Sequence, residues 1–365
     1  MDRDELKLGD TALAVYASPQ SNSDDAESGS GYVVLVDREG AVQTVETAVM
    51  DAGRLVWNAD GLYFSDSVQD FRLDSQGLEV TDSPKPDFQI SAHDMEGSVV
   101  SVYNDGWTSE SDYRMLAIEH NARESRGTDL SGAFWLVSRC DDRLVAVAPS
   151  SGKFLGAYPE DSVGIAPRVL YSIWPGQQEP LAVTEAPYLM EDAARDAPCH
   201  DEVVHFLAQS GNPDGSDDVL RPVVVSWDAT TGTREERDLV TGDGTGLPLG
   251  EDDLVYARYG AESLVGGELR WLGPDGTVRA TDVTDGSTTE LFDVGEGVVE
   301  AQFTHDSVFV LANPDGSDSA TLTRYDLATG SSARVVSVPG LGSYDSDDMS
   351  VQAIAVSPQV LANTD

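Results

Sequence analysis

The chain has 365 residues, 40% of them hydrophobic, which is too long for an ordinary single core and suits two domains or one repetitive fold. Its 65 acidic and 22 basic residues leave a formal charge of −43, which argues against nucleic acid and anionic membrane surfaces as partners. No apolar run reaches the ~18 residues of a membrane-spanning helix, and two cysteines are too few for a disulfide framework.

The first ten residues, MDRDELKLGD, are charged and lack the apolar core of a secretory leader. Three β-type runs follow, TALAVYASPQ, GYVVLVDREG and AVQTVET. They read as the second, third and fourth strands (B, C and D) of a four-stranded meander whose first strand (A) is missing. Valine-rich alternating runs recur along the chain, and a 3.6-residue apolar period is nearly absent, so the fold class is all-β. Tight A–B turns are expected at Asn58–Gly61, His93–Gly97, Cys140–Asp142, His200–Glu202, Val265–Gly267, His305–Ser307 and Ser357–Gln359. Hairpin turns between C and D are expected at WDATTG (Trp227–Gly232), TDVTDG (Thr281–Gly286) and YDLATG (Tyr325–Gly330), with weaker copies ending at Gly40 and Gly77. An Asp followed by a Gly four residues on suits such a turn, because Gly supplies the positive φ. Residues 175–199, with four prolines and a helix-like patch at Leu189–Asp196, break the pattern and read as an inserted loop in a single domain spanning 1–365. The last run, SVQAIAVSPQ, resembles an A strand with nothing after it.

Three of these turns share a longer motif. HDMEGSVVSVYNDG, HDEVVHFLAQSGNPDG and HDSVFVLANPDG begin at His93, His200 and His305, 107 and 105 residues apart. They mark every second turn, so one unit has about 53 residues and seven units fill the chain. With these turns and the complementary ends, the chain resembles a seven-bladed β-propeller, most like the broad quinoprotein-like and YVTN-like group. The resemblance implies four-stranded antiparallel blades in a ring closed by pairing of the amino- and carboxy-terminal strands, which removes exposed sheet edges. Six blades with insertions is the alternative. The resemblance is architectural and carries no activity.

Equivalent turns of neighbouring blades can be close, so a disulfide is expected between Cys140, in one A–B turn, and Cys199, just before the next blade's His-Asp. Two buried free thiols are the alternative. The bond would imply an oxidising compartment, hence an extracellular or cell-surface location with a leader removed. The alternative is the cytoplasm of a halophile, where acidity is a general surface adaptation.

No metalloprotease, nucleophile-elbow, nucleotide-binding or Cys-x-x-Cys pattern occurs. Each His-Asp pair offers a metal-ligating type, but equivalent turns in alternate blades lie too far apart to share an ion, so a role within the turn is expected. The NPDG turns at Asn212–Gly215 and Asn313–Gly316 carry the oxygens that suit calcium without the EF-hand order, so a plain turn and no cofactor are expected, with calcium as the alternative.

Loops B–C and D–A of a propeller share one face. Here that face would gather residues 21–30, 104–112, 212–218, 313–319 and 344–350, with Asp24, Asp25, Asp105, Asp214, Asp217, Asp315, Asp318, Asp347 and Asp348 around one large aromatic, Trp107. Of these, Trp107, Asp105, Asp214, Asp217, Asp315 and Asp318 are the candidate ligand-binding residues, and no catalytic residue is singled out. The function expected is an exported, monomeric, non-catalytic module that binds a protein, peptide or glycan. The alternatives are a glycan-active hydrolase, which needs two carboxylates ~5–10 Å apart, a quinone-dependent dehydrogenase, and a structural ring in a larger assembly.

Overall fold

The computed structural model describes residues 6–19, 29–109, 112–121, 124–134, 136–150, 167–184, 189–190, 196–211, 220–250, 252–314, 317–344 and 349–362. The strands form seven sheets. Sheet 1 combines β1 (Thr11–Ser18), β2 (Gly31–Asp37) and β3 (Val42–Thr47) with the last strand of the chain, β30 (Ser350–Val356). Sheet 2 contains β4 (Leu55–Asn58), β5 (Gly61–Ser65), β6 (Gln69–Leu73) and β7 (Leu78–Asp82). Sheet 3 contains β8 (Gln89–Met95), β9 (Ser98–Ser109), β10 (Asp112–His120) and β11 (Ser125–Ser131). Sheet 4 contains β12 (Leu136–Cys140), β13 (Arg143–Pro149), β14 (Arg168–Trp174) and β15 (Glu179–Val183).

In sheet 5 the first strand is in two short pieces, β16 (Leu189–Met190) and β17 (Cys199–His200), both on β18 (Val203–Ser210), followed by β19 (Arg221–Asp228) and β20 (Arg234–Asp238). Sheet 6 runs from β22 (Leu264–Val265) through β23 (Glu268–Leu272), β24 (Thr277–Asp282) and β25 (Ser287–Asp293), and β21 (Val240–Thr241) pairs parallel to β25 at its outer edge. Sheet 7 contains β26 (Val298–Phe303), β27 (Ser307–Ala312), β28 (Ser319–Asp326) and β29 (Ser332–Pro339), and a short helix, α1 (Pro358–Ala362), follows β30. Seven sheets, each built on a four-stranded meander, make this a seven-bladed β-propeller.

The expected end pairing is present. β30 runs antiparallel to β1, from Leu13 opposite Val356 to Ser18 opposite Ser350, and supplies the A strand that β1, β2 and β3 lack. The run at Ser357–Gln359 is therefore not an A–B turn: the chain enters α1, and the next strand of the sheet comes from the other end of the chain.

The middle strands are buried on both faces where a sheet packs between two others of its unit, as sheets 1 and 5 do. β1 is buried from Ala12 to Ser18, and β18 from Val204 to Ser210. The chain forms two compact units. In unit 1 (1–105, 116–128 and 296–365), one core joins Tyr16, Val33 and Leu35 of sheet 1 to Phe64 and Phe71 of sheet 2 and Tyr103 of sheet 3, and a second joins Leu13 and Val34 to Phe309 and Leu322 of sheet 7. In unit 2 (106–115 and 129–295), Leu136 and Val145 of sheet 4 pack with Phe206 and Trp227 of sheet 5, while Leu207 and Val224 pack with Leu269 and Trp271 of sheet 6.

The Asp-to-Gly turns form as expected. Asp228 Oδ1 accepts the amides of Thr230 and Thr231 at 2.7 and 2.8 Å, and Asp326 Oδ1 accepts those of Ala328 and Thr329 at 3.1 and 2.7 Å. The turns close on Gly232 and Gly330 at φ 76 and 69. Gly286 (φ 79) has a second constraint, because a Cβ there would lie 2.1 Å from the Asp238 carbonyl oxygen.

Two expectations need correction. Residues 175–199 are not one insertion: Glu179–Val183 is the outer strand of sheet 4, and Leu189–Met190 and Cys199–His200 belong to sheet 5. The prolines mislead because an outer strand tolerates a proline, here Pro180 opposite Tyr171. Of the helix-like patch, Leu189–Met190 form a strand and Asp196 a parallel bridge to Val137, while 191–195 lie outside the described residues. Finally, His93 and Asp94 are not in a turn but inside β8, opposite Val100 and Val99, and the turn comes afterwards at Gly97.

Candidate functional site

The Asn104–Asp112 stretch, expected as a loop, is mostly strand. Asp105 and Trp107 lie on β9, and β10 returns from Asp112, so the two strands make a long hairpin. Gly106 takes a φ of 77, which glycine tolerates inside an extended run. Trp107 is 68% exposed, the most exposed large hydrophobic side chain among the described residues. Its ring meets Tyr113 edge-on at 5.0 Å, a geometry that fixes the indole while leaving a face open. Asp105 is half-buried, and Asp318 is exposed at the foot of sheet 7. Asp214, Asp217 and Asp315 lie outside the described residues, as do Asp24, Asp25, Asp347 and Asp348. Asn313 closes its own turn: its Nδ2 donates to the Ser317 carbonyl at 2.9 Å and its Oδ1 accepts the Ser317 amide at 3.0 Å.

The His-Asp pairs do not converge. His200 and His305 are exposed beside Asp201 and Asp306, and His93 is buried. Among the described residues, no three His, Cys, Asp or Glu side chains are grouped so as to hold a metal ion. The disulfide is formed as expected. Cys140 at the end of β12 bonds Cys199 of β17 across a Cα–Cα distance of 5.2 Å. Around it, the Ser138 hydroxyl donates to the Ala197 carbonyl at 2.6 Å, and Arg143 pairs with Glu202.

A second constellation, in unit 1, has no counterpart in the sequence-based expectations. Lys85, in the connection from β7 to β8, places its ammonium 3.1 Å from Asp70 Oδ1 with side-chain exposures of 0% and 1%. Lys85 Nζ also donates to the Asp66 carbonyl at 3.1 Å and lies 5.8 Å from the Tyr103 ring centroid. Asp70 accepts the Ser65 hydroxyl at 2.6 Å from its own sheet and the Ser125 hydroxyl at 2.7 Å from sheet 3. His120 Nδ1 lies 3.0 Å from Ser125 Oγ, and its ring stands edge-on to Tyr63 at 5.7 Å.

The electrostatics of this cluster follow from its burial. Burial pulls the Asp70 pKa up, but the Lys85 ammonium and the two serine hydroxyls together hold it below the usual carboxylate range. Burial also pushes the Tyr103 phenol well up and lowers the His120 imidazole below its ordinary value. The cluster is an ionised pair tied to two hydroxyls and a neutral imidazole, spanning sheets 2 and 3. Its sequence signal was faint. Lys85 is one of three lysines in the chain, set between Pro84 and Pro86.

A family model for the β-propeller domain of YycP matches residues 7–135, about a third of the chain. No curated protein matches. Among solved structures, a point mutant of the apocarotenoid oxygenase of Synechocystis aligns with a TM-score of 0.50 and 9% identity over 92% of this chain and 90% of that one. The β-propeller domain of the Trilobed protease from Pyrococcus furiosus, described as having an open velcro topology, aligns with a TM-score of 0.50 and 11% identity over 89% and 96%. At such identities these likenesses show the fold alone. In the present chain β30 and β1 are hydrogen-bonded.

Proposed function

We propose that the protein is an exported, non-catalytic propeller that binds a basic or cation-bridged partner through its acidic B–C loops. The observation that carries the proposal is Trp107, held open to solvent by Tyr113 in a chain of formal charge −43. An exposed indole in an acidic field attracts the cationic side chains of lysine and arginine by cation–π and long-range attraction together. Export is supported by the Cys140–Cys199 bond, which persists in oxidising compartments. No helix of the described residues is long and apolar enough to cross a membrane.

The ionisation pattern favours binding over glycan hydrolysis. A glycosidase needs one carboxyl group held protonated beside one held ionised. Among the described residues, the carboxylates with displaced pKa values, Asp70, Asp228, Asp243, Asp275, Asp285 and Asp326, are all displaced downward by donors in turns or ion pairs.

The test is an array of lysine- and arginine-rich peptides beside a glycan array, probed at 0.1 M and 1 M salt. The Debye length falls from about 10 Å to about 3 Å between these conditions, so binding to basic peptides should weaken sharply. Trp107→Ala and the combined change of Asp214, Asp217, Asp315 and Asp318 to Asn should each reduce it without altering the melting profile. Salt-independent binding, or turnover in a parallel panel of hydrolase and dehydrogenase substrates, would overturn the proposal.

A further inference from the structure

We propose that the seam between sheets 2 and 3 is an acid-sensitive latch, in which protonation of His120 creates a buried N–H without an acceptor and loosens β10 and β11 from sheet 2. The geometry assigns the protons. The Ser125 hydroxyl has one hydrogen, and it is directed to Asp70 Oδ2. The hydrogen between Ser125 Oγ and His120 Nδ1 must therefore come from the imidazole, which places the neutral ring's proton on Nδ1 and its lone pair on Nε2. His120 is only 7% exposed, and Nε2 has no hydrogen-bond partner among the described residues. An unused lone pair costs little. An N–H at the same atom would be a buried, unsatisfied and charged donor.

The groups that face the ring set the balance. Asp70 and Arg72 approach from β6, Tyr63 from β5, Glu79 from β7, Lys85 from the connection before β8, and Ser125 from β11, with Tyr103 of β9 beyond Lys85. Burial is the largest influence and opposes the charge, Asp70 and Glu79 favour it, and Lys85 and Arg72 oppose it, leaving the pKa below its ordinary value. Asp70 cannot devote itself to the imidazolium, because its oxygens already hold Lys85, Ser65 and Ser125. A depressed histidine contributes stability that is complete above its unfolded pKa, about 6.5, and lost as the pH falls toward the folded value. Asp70, held below the usual carboxylate range, stays ionised through this window, so the proton taken up as the seam opens below about pH 6.5 goes to His120.

Sheet 5 holds an internal comparison. His205 lies beside Ser226 at 2.9 Å, and burial, reinforced by His200, lowers its pKa to about 4. By the same linkage, any opening that exposes His205 should also become easier as the pH falls below about 6.5, independently of His120.

The experiment is hydrogen–deuterium exchange on the intact protein at pH 7, 6 and 5, corrected for the intrinsic pH dependence of exchange. Peptides covering 61–73 and 112–134 should lose protection by up to about tenfold per pH unit below the unfolded pKa, and peptides covering 203–228 should show their own response through His205, which a change at His120 leaves in place. His120→Asn keeps a donor at the Nδ1 position, cannot titrate, and should abolish the response of the seam. A wild-type seam indifferent to pH, or an equal response in His120→Asn, would overturn the proposal. Should that variant fail to fold, the wild-type protein labelled with 15N-histidine decides: the His120 ring must carry its proton on Nδ1 at pH 7, and seam opening must track its titration. A proton on Nε2, or titration without opening, refutes the latch.

Discussion

Sheets 4 and 5 are joined by a covalent bond between Cys140 and Cys199, backed by the Ser138 to Ala197 hydrogen bond. Sheets 2 and 3 are joined by Asp70, which takes Lys85 on one oxygen and Ser125 on the other, with no covalent link. The two seams hold equivalent parts of a repeated fold by different chemistry, and they are vulnerable to different things. The disulfide acts largely by restricting the unfolded chain and is indifferent to salt and mild acid. The ion pair acts only in the folded state, where each charge is tolerable because the other is present. In a chain with so few lysines, burying one completely spends a scarce cation, and the acids of the same seam give it a reason.

The largest expected effect comes from removing the strand that completes unit 1. Deleting residues 350–365 strips β30 from β1 and opens the cores that Ala353, Ile354 and Ala355 help to fill. Unit 1 should lose its cooperative transition in calorimetry, a cost of the order of a whole domain's stability, about 5–15 kcal/mol. An unchanged melting profile would contradict the closing role of β30. Next, Lys85→Met leaves Asp70 buried and charged, and urea denaturation should report a loss of ~3–5 kcal/mol. The double change Lys85→Met with Asp70→Leu should cost less than the single one; strict additivity would mean the pair is not coupled.

Reduction of the Cys140–Cys199 bond should remove about 4 kcal/mol for its 59-residue separation, through sheets 4 and 5 rather than the Lys85 seam. Local exchange with and without reductant checks this, and equal loss in both seams would erase the distinction between them. Gly286→Ala should cost about 2 kcal/mol through its positive φ and the close Asp238 carbonyl, read as a lowered melting midpoint. The smallest effect belongs to Asp318→Asn, which should leave the melting midpoint where it is while weakening binding of basic peptides.

Much of the architecture is written locally. The turns at Asp228–Gly232 and Asp326–Gly330 could be located from sequence because one side chain binds amides two and three residues on and one glycine takes a positive φ. The complementary ends were legible because each carries part of one four-stranded unit, and the cysteine pair because two adjacent units place it at equivalent turns. Local similarity failed where one motif met two registers. His-Asp opens a turn at His305, yet at His93 the strand continues through it to Met95. Nor did a run of acids and one tryptophan reveal that Trp107 sits on a strand and leans on Tyr113.

The Asp70 cluster was decided by tertiary structure alone. Lys85, His120 and Ser125 lie 15, 50 and 55 residues beyond Asp70, and nothing in their sequence neighbourhoods links them. Turns depend on bonds between neighbours in the chain, so sequence determines them. A buried charge depends on which strands pack together and how far water is excluded, and those are properties of the assembled sheets.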